Sequence, residues 1–535
     1  MGRRLKKIKD FFELAADYGL CLYILLILAV LPFYFTDGFS RIGTNKALFF
    51  RAVNVNLGRI LLFLGGTVLL LKLVSALCSR HRKEKEQEDN AAPGIFSVTD
   101  VFMSVYGIGL LASYFFSDYR ETALLGAPGW FMGFFTQMAF VAIYFFISRL
   151  WKPRKWMLYL VFPVSAVIFL LGYLDRFGIH ILPMESRIGT FISTIGNINW
   201  YCGYVVSVFF GGVIFLWKGE FTKPLPKRLL MAYTLLGFAT LMTQGSESGV
   251  VAAGVVLLVL FCMSVESADK MMSFWEIMTL FSGACLFSFL FRFAVGDGFS
   301  AVDGRALELV TTGGFPIIVT IVSVLILVWV QRSRKMGAYR DKLFRMAAIV
   351  LVSVSTGAVL LVLLLALVNT IKPGSIGILS EYSLFTFSRD WGSHRGATWG
   401  AAFRCFWEQG FLHKMVGVGP DAMAAYMYSD GSEGLRILLE ECFGEATLTN
   451  AHNEWLTVLV DLGILGLVGF VGTMVSAMVR FLRKGKQNVL LCAIGFCLIA
   501  YTVNNMFSFQ QTMNGATMFV LLGMGAAFDR EGERH

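Results

Sequence analysis

The chain is expected to be an all-α polytopic membrane protein, with about fourteen transmembrane helices and a helical extracytoplasmic cap between spans 11 and 12. Three observations lead there. Hydrophobic residues make up 56% of 535 and charged residues 15%, with a mean hydropathy of +0.67, more apolar surface than a water-soluble core of this length uses. Apolar runs of about 17 to 25 residues recur, each long enough to cross roughly 30 Å of hydrocarbon as a helix, whereas a barrel would show short alternating strands. Lys and Arg gather in alternate connections, as retention on the cytoplasmic side requires.

The spans are expected near 18–35, 57–77, 98–116, 129–148, 157–174, 200–217, 228–242, 249–265, 274–293, 312–330, 346–369, 454–479, 488–506 and 515–528. The seventh and eighth are separated only by "TQGSESG". This divides the chain into an N-terminal two-span region with its cytoplasmic linker (1–97), a transmembrane bundle (98–369), the cap (370–453) and C-terminal transmembrane helices (454–535). With "GRRLKKIK" inside, the inner segments hold about 30 of the 46 Lys and Arg, which places both termini in the cytoplasm. The formal charge of +10 is thereby explained by topology, with no nucleic-acid partner. No small-residue cleavage site follows the first apolar run, so that helix is expected to stay as an anchor.

Between spans, the basic connections "SRLWKPRK", "KGEFTKPLPKR" and "QRSRKMGAYRDKLFR" are short, and "SRHRKEKEQEDN" at 79–90 reads as a solvated linker. Most of the nine cysteines fall inside spans and read as small apolar packing residues. Cys405 and Cys442, on the outer side, leave a pairing open. There is no CxxC or His-rich metal pattern, so no metal and no cofactor are expected. The 370–453 stretch is too polar to span and too long for a bare connector. Within it, Trp399, Ala402, Phe403 and Phe406 recur at helical spacing, a Gly-Val-Gly-Pro turn follows at 417–420, and "DAMAAYMY" opens another helix with Asp421 near its start.

Polar groups with chemical capacity collect on this outer side. His452 stands at the junction of the cap and the twelfth span, and at 100° per residue Gly463 and Gly466 fall near its face as a close-packing stripe. Two readings stand: an interfacial histidine bonded to loop backbone, or a neutral imidazole that accepts a hydroxyl proton. The cap carries Arg389, Arg395 and Arg404 with His394, His413 and Lys414; guanidinium groups there suit either lipid headgroups or a diphosphate. Asp461 lies about 180° from His452 around the helix, so it does not orient the imidazole. "LLEECFGEA" reads as a polar helix face. "TFISTIGNINWYCGY" brings Asn197 and Asn199 to the head of the sixth span, where the same residues also serve as turn and cap signals. Arg292, near the outer end of the ninth span, is costly there without a partner and is kept as a phosphate ligand candidate.

Several of these motifs together resemble the O-antigen ligase and related polymerase superfamily. The pattern His-Asn-x-x-Leu followed by Gly-x-x-Gly is carried by His452, Asn453, Leu456, Gly463 and Gly466. Arg-x-x-x-Trp followed by Gly-x-Gly is similar to Arg395, Trp399, Gly417 and Gly419; "STIGNIN" is similar to the family's Thr-x-Gly-Asn-x-Asn turn, and "ALLGAPGWFMG" to its Leu-x-Gly loop. In order and spacing these cover about 98 to 526. The resemblance implies a glycosyltransferase of the bacterial cytoplasmic (inner) membrane, taking a glycan from a polyprenyl diphosphate on the outer face. It implies His452 as the base for the acceptor hydroxyl, Arg395 as a diphosphate ligand, inversion at the anomeric centre and no metal. Arg389 is taken as the accompanying diphosphate ligand, and Asn197, Arg292 and Asn453 as donor or acceptor contacts. The partners expected are a lipid-linked glycan donor, a glycan, lipid or protein acceptor, and membrane lipid. The chain departs from the family where "MTQGSESG" stands in place of a Ser-Arg pair, which leaves a second diphosphate arginine unassigned among Arg389, Arg187 and Arg292, and its first two spans exceed the usual core. A polymerase shares the motifs, and a flippase-type transporter fits the span count but calls for broken midmembrane helices and paired repeats.

Overall fold

A computed structural model describes residues 2–83, 96–187, 189–296, 305–337, 339, 341–389 and 391–532. The linker expected at 79–90 lies outside the described residues beyond Lys83. Helices α1 (Gly2–Leu25), α2 (Ile42–Val53) and α3 (Arg59–Lys83) come first, followed by α4 (Val98–Phe116), α5 (Arg120–Leu125), α6 (Phe134–Leu150), α7 (Lys155–Tyr159) and α8 (Val161–Arg176). A two-residue antiparallel pair, β1 (Phe191–Ile192) with β2 (Gly196–Asn197), sets Phe191 opposite Asn197. Then come α9 (Ile198–Lys218), α10 (Pro224–Thr243), α11 (Glu247–Ser264), α12 (Ala268–Val295), α13 (Arg305–Thr311), α14 (Phe315–Lys335) and α15 (Asp341–Ile371). Four shorter helices, α16 (Trp391–Glu408), α17 (Phe411–Val416), α18 (Met423–Ser429) and α19 (Glu433–Phe443), lead to α20 (Glu454–Lys484), α21 (Val489–Asn504) and α22 (Thr512–Gly532).

The protein is thus nearly all α, and among the described residues ten helical stretches are long and apolar enough to cross a membrane. Most residues of each of the fourteen stretches expected from the sequence are helical, with turns or bends at 129–133 and 312–314. The other four are less apolar or shorter: α6 and α21 have 17 and 16 residues, α10 opens on the charged "PLPKR", and α22 is buried from Thr512 to Asp529 with Asn514 and Thr517 among its side chains. A helix enclosed by others meets no lipid and so needs no lipid-like surface. At the opposite extreme only 6% of the apolar window of α15 is buried.

The core is built on α9, α21 and α22, and α20 lies closest to α4. Small residues make that approach: a Cβ on Gly469 would stand 2.3 Å from the Tyr106 backbone nitrogen, and one on Gly109 would stand 2.9 Å from Gly466 Cα. Local signals fix the ends. Ser97 and Asp100 form a reciprocal capping box at the start of α4. Asp100 also accepts from Tyr144 at 2.8 Å and pairs with Arg149 at 3.0 Å and Arg530 at 3.3 Å, tying α4 to α6 and α22. At the same end, Asp529 pairs with Arg480 and with Lys484, which ties α22 to α20.

Candidate functional site

α20 begins at Glu454, and Asn453 caps it: its Oδ1 accepts from the N–H groups of Trp455 at 3.0 Å and Leu456 at 3.2 Å. His452 therefore precedes the helix, with a left-handed φ of 49° and its N–H donating to Asn450 Oδ1 at 2.9 Å. The expected stripe from His452 to Gly463 and Gly466 on one helical face is corrected on two counts. His452 is not on the helix, and Gly463 interrupts it with φ 65° and ψ −169°. That break frees the carbonyls of Val460 and Asp461 from their helical partners. Val418 and Gly419 donate to them at 3.2 and 3.0 Å, and Ser113 Oγ of α4 donates to Asp461 O at 2.5 Å. A side chain at Gly417 would meet Asp461 O at 2.1 Å. The Gly-x-Gly turn and the broken helix are two halves of one joint.

His452 and Arg395 converge on the segment 505–511 between α21 and α22. The imidazole meets the Phe509 ring edge-on, with centroids 5.2 Å apart. Its Nδ1 is buried and has no hydrogen-bond partner among the described residues. The guanidinium of Arg395 donates from Nε and Nη2 to Phe507 O at 3.1 and 2.9 Å, and from Nη1 to Gly392 O at 2.9 Å. One turn along α16, the Trp399 ring lies 6.2 Å from that of Phe507. The Arg-x-x-x-Trp spacing so places one side chain on the carbonyl of Phe507 and the other on its ring. Glu454 holds the same segment: its N–H donates to Asn505 O at 2.8 Å and Ser508 O at 3.0 Å, and its carboxylate accepts from Gln510 N at 2.7 Å.

Electrostatics favour an uncharged imidazole. Burial, and after it the positive charge of Arg395, pull the His452 pKa below its usual value. Burial also lowers Arg395 from its ordinary value, while the carboxylate of Glu247 at the head of α11 opposes that shift. A guanidinium has five N–H donors, so two remain beyond the three bonds above. The arrangement is a neutral base near a fixed cation with donors to spare, and it can take a proton and hold an anion.

The other expected residues are placed elsewhere or bound otherwise. Arg389 pairs with Glu441 of α19, both well exposed. Arg292 donates to Thr311 Oγ1 at 3.4 Å, between α12 and α13. Asn197 caps α9, accepting from Asn199 N at 2.9 Å. Arg187 bonds Asp175 and His180, Arg404 bonds Glu408, His413 faces Gly417 O at 2.9 Å, and Lys414 lies over the Trp407 ring. The His394 side chain is outside the described residues. Cys405 and Cys442 are separate thiols. Asp421 lies just ahead of α18, as expected; it has φ 59° and accepts from Ala127 N at 2.8 Å and Met132 N at 3.0 Å, gripping the "GAPGWFM" loop. Asp461 does not meet His452; it accepts from the N–H groups of Asp421 at 3.1 Å and Met423 at 2.8 Å. Among the described residues no group of three or more His, Cys, Asp or Glu is arranged to hold a metal ion.

Two features escaped the sequence reading. The 505–511 segment passed as a short connection, although its polar run "NNMFSFQQT" between apolar helices was the available signal. Arg176 passed as a span end. It is 2% exposed, donates from Nε to Thr243 O at 2.8 Å and from Nη1 to Gly189 O at 3.4 Å, and its buried Nη2 has no acceptor among the described residues. That Nη2 lies under Gly245 of "TQGSESG", where a Cβ would approach to 2.7 Å. Two residues on, Glu247 is the acid whose charge reaches Arg395. No protein-family model matches this chain, and no curated protein matches it.

Proposed function

We propose that the protein is a membrane glycosyltransferase of the O-antigen ligase type, moving a glycan from an undecaprenyl-diphosphate donor to an acceptor hydroxyl on the outer face of a bacterial cytoplasmic membrane. The observation that carries this reading is the convergence of His452 and Arg395 on one buried segment, Phe507 to Phe509. His452 takes the proton of the acceptor hydroxyl as its oxygen attacks the sugar C1, and the diphosphate departs from the opposite face, so the anomeric centre inverts. Arg395 holds the departing diphosphate through its remaining donors. Both termini lie in the cytoplasm, the 370–453 stretch is the outer cap, and no metal is used. Asn197 and Asn453 shape the site as helix caps, while Arg389 and Arg292 serve outside it. Arg176, beneath the "TQGSESG" turn, is the better second guanidinium.

The test is a reconstituted transfer assay with defined lipid-linked donor and acceptor. Wild type forms product; well-folded His452→Ala leaves the donor unconsumed. Unchanged transfer by that variant removes His452 from the mechanism. Product length separates the two enzymatic readings, since a polymerase extends lipid-linked repeats and a ligase moves the finished glycan to a different acceptor. Vesicle transport without any covalent product would instead identify a flippase.

A further inference from the structure

Three buried carboxyl groups, from Asp421, Glu454 and Asp461, line one cavity of about 20 Å³ beside the His452 segment. Each pins a different stretch of backbone: Asp421 the 126–132 loop, Asp461 the 417–423 turn and Glu454 the 505–510 segment. No cation forms an ion pair with any of them among the described residues. The other titratable groups that feel their charges are Tyr106 and Tyr501 toward Glu454, and Cys405 toward Asp461. None of these supplies a positive charge. Three amide side chains also line it: Gln137, whose Nε2 donates to Met132 O, and Asn450 and Gln510. Asn450 is 5% and Gln510 3% exposed, and Asn450 Nδ2 and Gln510 Nε2 have no acceptor among the described residues.

Buried amide donors left without acceptors are costly, and the space is that of a single water molecule. Three like charges in one small, poorly polarisable space are costlier still. We propose that the cavity is a shared proton site: one water accepts from Asn450 and Gln510 and donates to the carboxyls, which together retain protons at neutral pH in place of three negative charges. The two lone pairs of the water oxygen meet the two orphaned amide donors, its two protons meet oxygens of two of the three carboxyls, and each proton a carboxyl retains is shared with a neighbouring carboxyl oxygen. The 505–510 stretch meets His452 through Phe509, which also contacts Trp130 of the 126–132 loop, and the protonation state of the cluster sets how firmly the three stretches are held. The inference does not depend on glycosyl transfer.

The sign of the pH effect follows from Asp421, which burial pushes up to about 7 from an unfolded value of about 3.9. The folded chain binds that proton more tightly, so the associated stability is full below pH ~4 and is lost as pH rises through about 7.

The experiment is infrared spectroscopy of the full chain in detergent or nanodiscs at pH 7, where ordinary carboxylates are ionised. Expected is a protonated-carboxyl stretch that moves on transfer from H2O to D2O and loses intensity in Asp421→Asn, Glu454→Gln and Asp461→Asn. The pH slope of the wild-type melting temperature is expected to flatten in Asp421→Asn. A band untouched by all three substitutions overturns the proposal, as does a band that never shifts in D2O. Absence of any such band in wild type does the same, because it means three carboxylates neutralised by a cation. The wild-type D2O shift stands as a test even if one variant fails to fold.

Discussion

The two ends of α4, α20 and α22 treat charge in opposite ways. At one end Asp100 and Asp529 are each met by two cations, and the ion pairs fasten the helices to one another. At the other end the hydrogen bonds of Asp421, Glu454 and Asp461 among the described residues come from backbone N–H groups, and those of Arg395 go to carbonyls. Orphaned polar atoms gather at that second end too, with His452 Nδ1, Ser508 Oγ and Gln510 Nε2 among them. One end fastens its helices through compensated charge, and the other holds its acids and its arginine on backbone groups.

The comparison breaks most visibly at His452. His452→Ala is expected to lower transfer by about 10²- to 10⁴-fold with an unchanged melting temperature; an equal loss of both would make the residue structural. Next comes the paired end: Asp529→Asn leaves Arg480 and Lys484 facing a neutral group, and because these cations are 16% and 40% exposed the loss is about 1.5–3 kcal/mol, that of hydrogen bonds to a charged group. Thermal unfolding should register that loss while turnover per folded molecule stays at the wild-type level. A subtler effect is expected from Arg395→Gln. Rate falls as pH drops through the His452 pKa, and in wild type that acid limb lies below the usual imidazole value of about 6.5. Without the guanidinium the limb should move to higher pH, and a limb that stays in place would detach Arg395 from the imidazole. The smallest effect belongs to Arg389→Gln, whose exposed pair with Glu441 is worth at most about 1 kcal/mol; a large change in donor KM would return Arg389 to the site.

Legibility followed the range of the interaction. Spans were readable because hydrophobic length is a property of consecutive residues, and the cap at Asn197 because capping acts within three positions; Asn453, expected as a substrate contact, caps α20 by the same local rule. The Arg395 and Trp399 pair was readable as a spacing, but its target was not, since Arg395 and Phe507 are 112 residues apart. Gly463 read as a small packing residue, yet its broken helix makes sense only beside the 417–419 turn that takes up the freed carbonyls. Arg176 was overlooked because a basic residue at a span end is ordinarily an interfacial anchor, and only its burial beneath Gly245 distinguishes it.

By itself the sequence determined that this chain forms apolar helices in a membrane and that its unusual polar residues cluster near a few helix ends, because both depend on local composition. Tertiary structure alone decided which of those residues meet. Ser113 reaches Asp461 across 348 positions, and hydrogen bonds between distant loops leave no periodic trace in the chain that makes them.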